Sequence, residues 1–188
     1  MGVVKYIFSK GNLRRAAVVS TFVSVGNATQ PFNRLLEAVG KITVDLPQPV
    51  FVQYGAGSML ACPGCAGIAY LDMAAFEQRV QDAELLILHA GAGSVIHAVR
   101  AGKIPIIVPR RAELGENVDG HQMEFADELA KTGKVIVAHD SATMKAAVAL
   151  TLAHQKSNHY KGQSETSMIG LVRLALSDAV DVTPSKIT

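Results

Sequence analysis

Glu84-Leu85-Leu86-Ile87-Leu88-His89-Ala90-Gly91-Ala92-Gly93-Ser94 is the stretch that decides the fold. After its first residue it opens with an unbroken apolar run, Leu85 to Leu88. A continuous run, rather than an alternating one, suits a strand covered on both faces, as in the middle of a parallel sheet. The run ends in a cluster of small residues. Val95 to Arg100 then continues as a helix, and Gly102 terminates it. The reading is strand, tight loop, helix.

Working outward, the same unit recurs. Val18 to Val25 predicts a strand that stops at Gly26-Asn27, and Pro31 opens a helix through Phe32-Asn33-Arg34-Leu35-Leu36-Glu37-Ala38-Val39. Pro49 to Tyr54 predicts a second strand, Ile68 to Leu71 a third, and Met73 to Gln81 a helix. Ile104 to Val108 is the next buried strand, closed by Pro109 and followed by a polar loop, Arg110 to Gly120. His121 to Lys131 predicts a helix stopped by Gly133, Val135 to Ala138 a strand, and Ala142 to Ala153 a last helix capped by Ser141. Strands alternating with helices predict an α/β domain: an open parallel sheet with helices on both faces, over residues 18–155. Residues 1–17 form an N-terminal extension, in which Val3 to Phe8 reads either as an added strand or as a loose leader. Residues 156–188 form a C-terminal tail with an amphipathic helix at Met168 to Ala179 and a frayed end from Asp181.

Composition bounds the function. A chain of 188 residues, 49% apolar, supports one ordinary core. A net charge of +2 gives no reason to expect a nucleic-acid binder. No apolar run approaches the roughly 18 residues of a membrane span, and Met1 to Phe8, which includes Lys5, lacks the apolar core of a signal peptide. The expectation is a cytoplasmic protein that meets membranes only through a surface or a partner. The two cysteines stand in Cys62-Pro63-Gly64-Cys65. A zinc site would want a second such pair, and a redox motif should open a helix. Pro63, Gly64 and Gly67 look like a turn instead, so the pair reads as two incidental loop thiols.

In sheets of this kind ligands bind beyond the carboxyl ends of the strands, and three loops fall there. Gly26-Asn27-Ala28-Thr29-Gln30-Pro31 combines a glycine that turns closely with a following helix N-terminus; it reads equally as an ordinary strand-to-helix turn. His89-Ala90-Gly91-Ala92-Gly93-Ser94 favours an anion, because small side chains let a phosphate approach the backbone at a helix start. There Ser94 adds a hydroxyl and His89 a ring donor. It matches neither the dinucleotide fingerprint nor a Walker loop. Glu113-Leu114-Gly115-Glu116-Asn117-Val118-Asp119-Gly120-His121-Gln122 is rich in groups that bond sugar hydroxyls. By composition alone a solvated loop, with Asp119 capping the helix, is slightly favoured. Arg110 and Arg111 end a strand near the anion loop and read either as diphosphate partners or as surface charges. His97, His139, His154 and His159 form no recognisable metal set.

These residues resemble a family. Phe22-Val23-Ser24-Val25-Gly26-Asn27 with Gln30-Pro31-Phe32-Asn33-Arg34-Leu35 resembles the opening of small bacterial exopolysaccharide glycosyltransferase subunits. His89 to Ser94, Gly102-Lys103-Ile104-Pro105 and Val108-Pro109-Arg110 resemble their donor-site segment, and Gly115 to Ala126 resembles the loop and helix that follow. The catalytic subunit of the eukaryotic dolichol-linked N-acetylglucosaminyltransferase has the same pattern. So does the C-terminal half of the bacterial glycosyltransferase that makes lipid II. The resemblance spans about Val19 to Ala153. It departs at Asn27, where relatives usually carry threonine, and at Gly120, where they often carry Asn or Asp.

The resemblance implies one Rossmann-like half of a GT-B fold that binds a UDP-sugar, with N-acetylglucosamine and glucuronic acid both open as the sugar. It implies a separate membrane-associated subunit that binds a lipid-linked acceptor, and leaves open whether the isolated chain forms a homodimer. Extra charge on the leaving diphosphate makes preorganised donors the main catalytic service of this half. That role falls to the backbone from Ala90 and Gly91 through Ala92 and Gly93 to Ser94, to the Ser94 hydroxyl, to His89, and to Gly26-Asn27. Glu116 is expected on ribose or sugar hydroxyls, and His121 and Gln122 on the sugar. No metal or other cofactor is expected, since no Asp-x-Asp pair is present to hold one. The general base is expected from the partner or the interface. Two alternatives stand beside this reading. One is a non-catalytic UDP-sugar sensor. The other is an NAD-dependent oxidoreductase, against which the missing third glycine and the missing acidic residue count.

Overall fold

A computed structural model describes residues 20–158. The readings for the extension 1–17, for Val3 to Phe8, for Met168 to Ala179 and for Asp181 onward lie outside the described residues.

The sheet has six strands: β1 (Thr21–Ser24), β2 (Val50–Gln53), β3 (Ala66–Ile68), β4 (Leu85–His89), β5 (Ile106–Val108) and β6 (Ile136–Val137). Their order is β3-β2-β1-β4-β5-β6, and every pairing is parallel. The stretch that opened the sequence reading forms β4, which lies beside β1 in the register Phe22↔Leu86 and Ser24↔Leu88. Both strands are central, and Leu85 to Leu88 are fully buried.

Helices α1 (Asn33–Ile42), α2 (Met73–Asp82), α3 (Ala92–Arg100), α4 (His121–Lys131) and α5 (Ser141–Asn158) cover both faces. Period-2 alternation divides the core. Val23, Leu85, Ile87, Ile106 and Val108 pack with Leu35, Leu36 and Val39 of α1 and with Met144 and Val148 of α5. On the opposite face Phe22, Leu86 and Leu88 meet Phe76 and Val80 of α2 and Ala98 of α3. Beside them Ile107 meets Val95 of α3 and Ala126 and Leu129 of α4. Full burial of each such side chain contributes about 1.5–3 kcal/mol, so both faces of β1 and β4 are committed to packing. The open parallel sheet read from the sequence is the architecture found.

Three expectations need correcting. The third strand is Ala66–Ile68, not Ile68 to Leu71: Gly67 pairs with Val52 at the sheet edge, and the Tyr54 N–H still reaches Ile68 O. Helix α3 starts at Ala92, three residues before Val95, so most of the small-residue loop is the helix's first turn. The cap of α5 is Asp140, whose Oδ1 accepts from the Thr143 N–H at 2.8 Å; Ser141 is already the first helical residue.

Candidate functional site: a cleft where the strand order reverses

Chain order reverses between β1 and β4. The turn after β1 leads to α1 on one face, and the turn after β4 leads to α3 on the other. The two turns diverge and leave a crevice, the usual ligand position in such sheets. A cleft of about 260 Å³ lies there, lined by Ser24, Gly26, Asn27, Gln53, Leu71, Asp72, Met73, Phe76, His89, Gly91, Gly93, Ser94 and His97.

The β1 side is a hydrogen-bonded chain. The Gly26 N–H donates to Ser24 Oγ at 3.2 Å, and the Ser24 hydroxyl donates to Gln53 Oε1 at 2.7 Å. Gln53 Nε2 in turn donates to Asn27 Oδ1 at 2.7 Å. Ser24 and Gln53 are buried and opposite each other in register, while Asn27 is exposed. With its carbonyl oxygen engaged, the Asn27 amide presents its N–H groups outward.

The β4 side is a helix start. Gly91 is the N-cap of α3 and has no side-chain cap, and the first helical bond runs from the Val95 N–H to Gly91 O at 3.1 Å. The N–H groups of Ala92, Gly93 and Ser94 therefore have no intrahelical acceptor and sit at the positive end of the helix dipole. An anion in the cleft would meet these donors and the Ser94 hydroxyl together.

His89 joins the two sides. A Cβ added at Gly26 would fall 2.4 Å from its ring, so only glycine lets the β1 turn pass over the imidazole. Gly91 is equally close on the other side. Burial, helped by the Arg110 charge and opposed by the Ser24 carbonyl, lowers the His89 pKa to about 4. The ring is neutral at pH 7, and its buried Nδ1 has no hydrogen-bond partner among the described residues. It acts as a fixed polar spacer and not as a cation.

The third loop is placed differently. Arg110 is 1% exposed and donates to Gln30 O (2.9 Å), Glu116 O (2.8 Å) and Val25 O (2.8 Å), with its guanidinium 4.6 Å from the centre of the Phe32 ring. The side chain is neither a surface charge nor part of the cleft lining; it is bonded to carbonyls beside it. Glu116, expected on ribose or sugar hydroxyls, is likewise committed. It accepts from Arg34 Nε (2.9 Å) and Nη2 (2.7 Å) and from the Arg111 N–H (2.9 Å). Gln122 Oε1 accepts from the Arg110 N–H at 3.0 Å, and His121 is exposed beside Asp119. Neither lines the cleft. Asp119 accepts from the His121 N–H at 3.3 Å, but the N-cap of α4 is Gly120 and the helix start has no side-chain cap, which corrects the expectation that Asp119 caps it.

Sequence reasoning missed Ser24, Gln53, Asp72, Phe76 and His97. Two of these had a signal. His97 stands three residues after Ser94, on the same face of α3, and Gln53 ends the strand next to β1. Asp72 caps α2 through the Ala75 N–H (2.7 Å), and His97 Nδ1 lies 3.2 Å from Glu77 Oε1.

The fold is that of one half of a GT-B glycosyltransferase. The calicheamicin glycosyltransferase CalG4 superposes with a TM-score of 0.56 at 19% identity, over 78% of this chain and 38% of that one. The solution structure of ALG13 gives 0.52 at 17% identity, over 83% and 94%. Residues 20–171 match the glycosyltransferase family 28 C-terminal domain, and the chain belongs to that family. Among curated relatives, the UDP-N-acetylglucosamine transferase subunit ALG13 of Yarrowia lipolytica is 34% identical over 127 residues, which are 60% of this chain and 62% of that protein. The Homo sapiens subunit of the same name is 32% identical over 60% of this chain and 10% of its own length.

Two outcomes are expected. Between pH 6.5 and about 4 the unfolded chain protonates His89 while the native protein does not, so stability falls as pH drops through that window. Urea titrations across it should show a loss of up to about 3 kcal/mol that a non-titrating His89→Gln variant lacks. Arg110→Ala should lower the unfolding free energy by about 3 kcal/mol or more, because it strands buried carbonyls. A variant of unchanged stability that lost nucleotide binding would return Arg110 to the ligand.

Proposed function

We propose that this chain is the donor-binding and catalytic part of a two-component glycosyltransferase. It moves a sugar of the N-acetylglucosamine type from a UDP-sugar to a lipid-linked acceptor held by a membrane-associated partner subunit. The observation that carries the reading is the uncapped start of α3, aimed into a cleft whose opposite wall presents the Asn27 amide. The curated relatives are subunits of a UDP-N-acetylglucosamine transferase, which supports this donor and an assembly of more than one part.

In this reading the diphosphate rests on the N–H groups of Ala92, Gly93 and Ser94 and on the Ser94 hydroxyl. As the glycosidic bond breaks, charge grows on the β-phosphate, and these fixed donors stabilise it without reorganising. His89 keeps the Gly26 and Gly91 turns apart and, being neutral, can donate without releasing a proton to the leaving group. Gln122 retains a free amide N–H face for the sugar, and His121 stands next to it on an exposed turn. The cleft lining includes one carboxylate, Asp72, which caps α2, and this reading assigns no metal to donor binding. The general base comes from the partner, since it must reach the acceptor hydroxyl. Among the described residues no helix is long and apolar enough to cross a membrane. In this reading the partner carries the membrane attachment, at the cytoplasmic face.

Calorimetry with UDP tests the site. Ser94→Ala should weaken UDP by roughly ten- to a hundredfold, the range for a hydrogen bond to a charged group. UDP and UDP-N-acetylglucosamine, but not NAD, should raise the melting temperature. Unchanged UDP affinity in both Ser94→Ala and Asn27→Ala would remove the assignment. Binding without transfer, with partner and acceptor supplied, would leave a UDP-sugar sensor.

A further inference from the structure

The Cys62–Cys65 loop is not used by the cleft, and neither cysteine lines it. A 3-10 turn, Met59–Ala61, leads into it, with the Leu60 N–H bonded to Ser58 Oγ at 3.3 Å. The Cys65 N–H then donates to Cys62 O at 3.3 Å, and Gly64 has φ +83° after Pro63. Those are the marks of a type II turn, which brings its first and last Cα atoms within about 7 Å. A disulfide spans about 4.4–6.8 Å between Cα atoms, a range that the turn's own span matches.

Both sides of the turn are clamped. Helix α1 passes so close that a Cβ at Gly40 would lie 2.2 Å from Ala61 O and 3.3 Å from Cys62 Cα. On the other side β3 starts at Ala66 and pairs with β2. The two thiols differ in access and chemistry. Cys62 is 1% exposed and packs in the core with α1, whereas Cys65 is half-buried. The neighbouring Cys62 thiol, with the Thr43 hydroxyl 3.9 Å away, outweighs burial and lowers the Cys65 pKa to about 7. The same interaction, with burial, pushes Cys62 up. A thiol titrating near ambient pH is the best placed to attack a disulfide.

We propose that Cys62 and Cys65 form a dithiol site for low-molecular-weight disulfides, with Cys65 as the attacking thiolate and Cys62 as the resolving thiol. The Cys65 thiolate attacks one sulfur of oxidised glutathione, forms a mixed disulfide and expels one glutathione thiolate. The mixed disulfide no longer carries the negative sulfur that held the Cys62 proton. Cys62 gives that proton to the departing thiolate, attacks Cys65 Sγ and expels the second glutathione thiolate, which takes the proton that Cys65 had lost. Two protein thiols are oxidised to one disulfide, and one disulfide is reduced to two thiols. The bridge closes a turn that already exists, so it leaves the cleft as it was.

Intact-mass measurement after acid quenching tests this on the full chain treated with oxidised glutathione. The wild type should lose two hydrogens and retain no glutathione. Cys62→Ser should stop at one glutathionyl group, on Cys65, and Cys65→Ser should react at least about tenfold more slowly, as expected of a buried thiol. UDP affinity should be equal in the dithiol and disulfide forms, which keeps this result separate from the glycosyltransferase reading. A wild type that stays reduced, or that ends as a stable mixed disulfide, overturns the proposal whether or not the variants fold. So does a Cys65→Ser variant that reacts as fast as Cys62→Ser.

Discussion

The adjacency of β1 and β4 is the constraint on which the rest of the structure depends. Two strands buried on both faces lie side by side, Val23 against Ile87 and Ser24 against Leu88, yet their following helices leave to opposite faces. Neither helix covers the space between the two departing turns. The crevice is thus a consequence of topology, and its chemistry comes from what the turns present. One offers a buried Ser24–Gln53 pair that orients Asn27. The other offers a helix start with free N–H groups. His89 fills the gap beneath them, and glycine at 26 and 91 follows from the volume of its ring.

A second network keeps the first in place. Arg110 reaches from the end of β5 to Val25 O and Gln30 O, on either side of the Gly26 turn, and to Glu116 O in the polar loop. Arg34 of α1 binds the Glu116 carboxylate, Pro109 O and His139 O. Both guanidinium groups face the Phe32 ring, at 4.6 and 5.2 Å. Burying such charges costs desolvation that these hydrogen bonds offset, and removing one partner would leave the other unpaired. Here they fix the position of the turn that would carry the donor, so residues outside the cleft govern its shape.

Much of the fold was legible because the strands are central. Leu85 to Leu88 read as an unbroken apolar run for the same reason that they are buried on both faces. The edge was harder: β3 is short, half exposed and contains Gly67, so Ile68 to Leu71 carried the stronger apolar pattern although pairing stops at Ile68. In the candidate site, the small-residue loop and the Gly26 turn were visible from composition. Gln53 and His97 were not, because their place in the cleft depends on strand order and helix phase. The structural bonds of Arg110, just past β5, and of Glu116, in the polar loop, were not legible, because a charged residue at such a place looks like a ligand group in a sequence and only three-dimensional contacts show which loops it ties together.

The central claim is that the start of α3 receives the diphosphate. Backbone amide resonances recorded during a UDP titration test it most directly. The account predicts that the largest shifts fall on Ala92, Gly93 and Ser94, with Asn27 next, and that Glu113 to Gly120 move little. Shifts concentrated in the 113–122 loop, with the α3 amides unmoved, would contradict it.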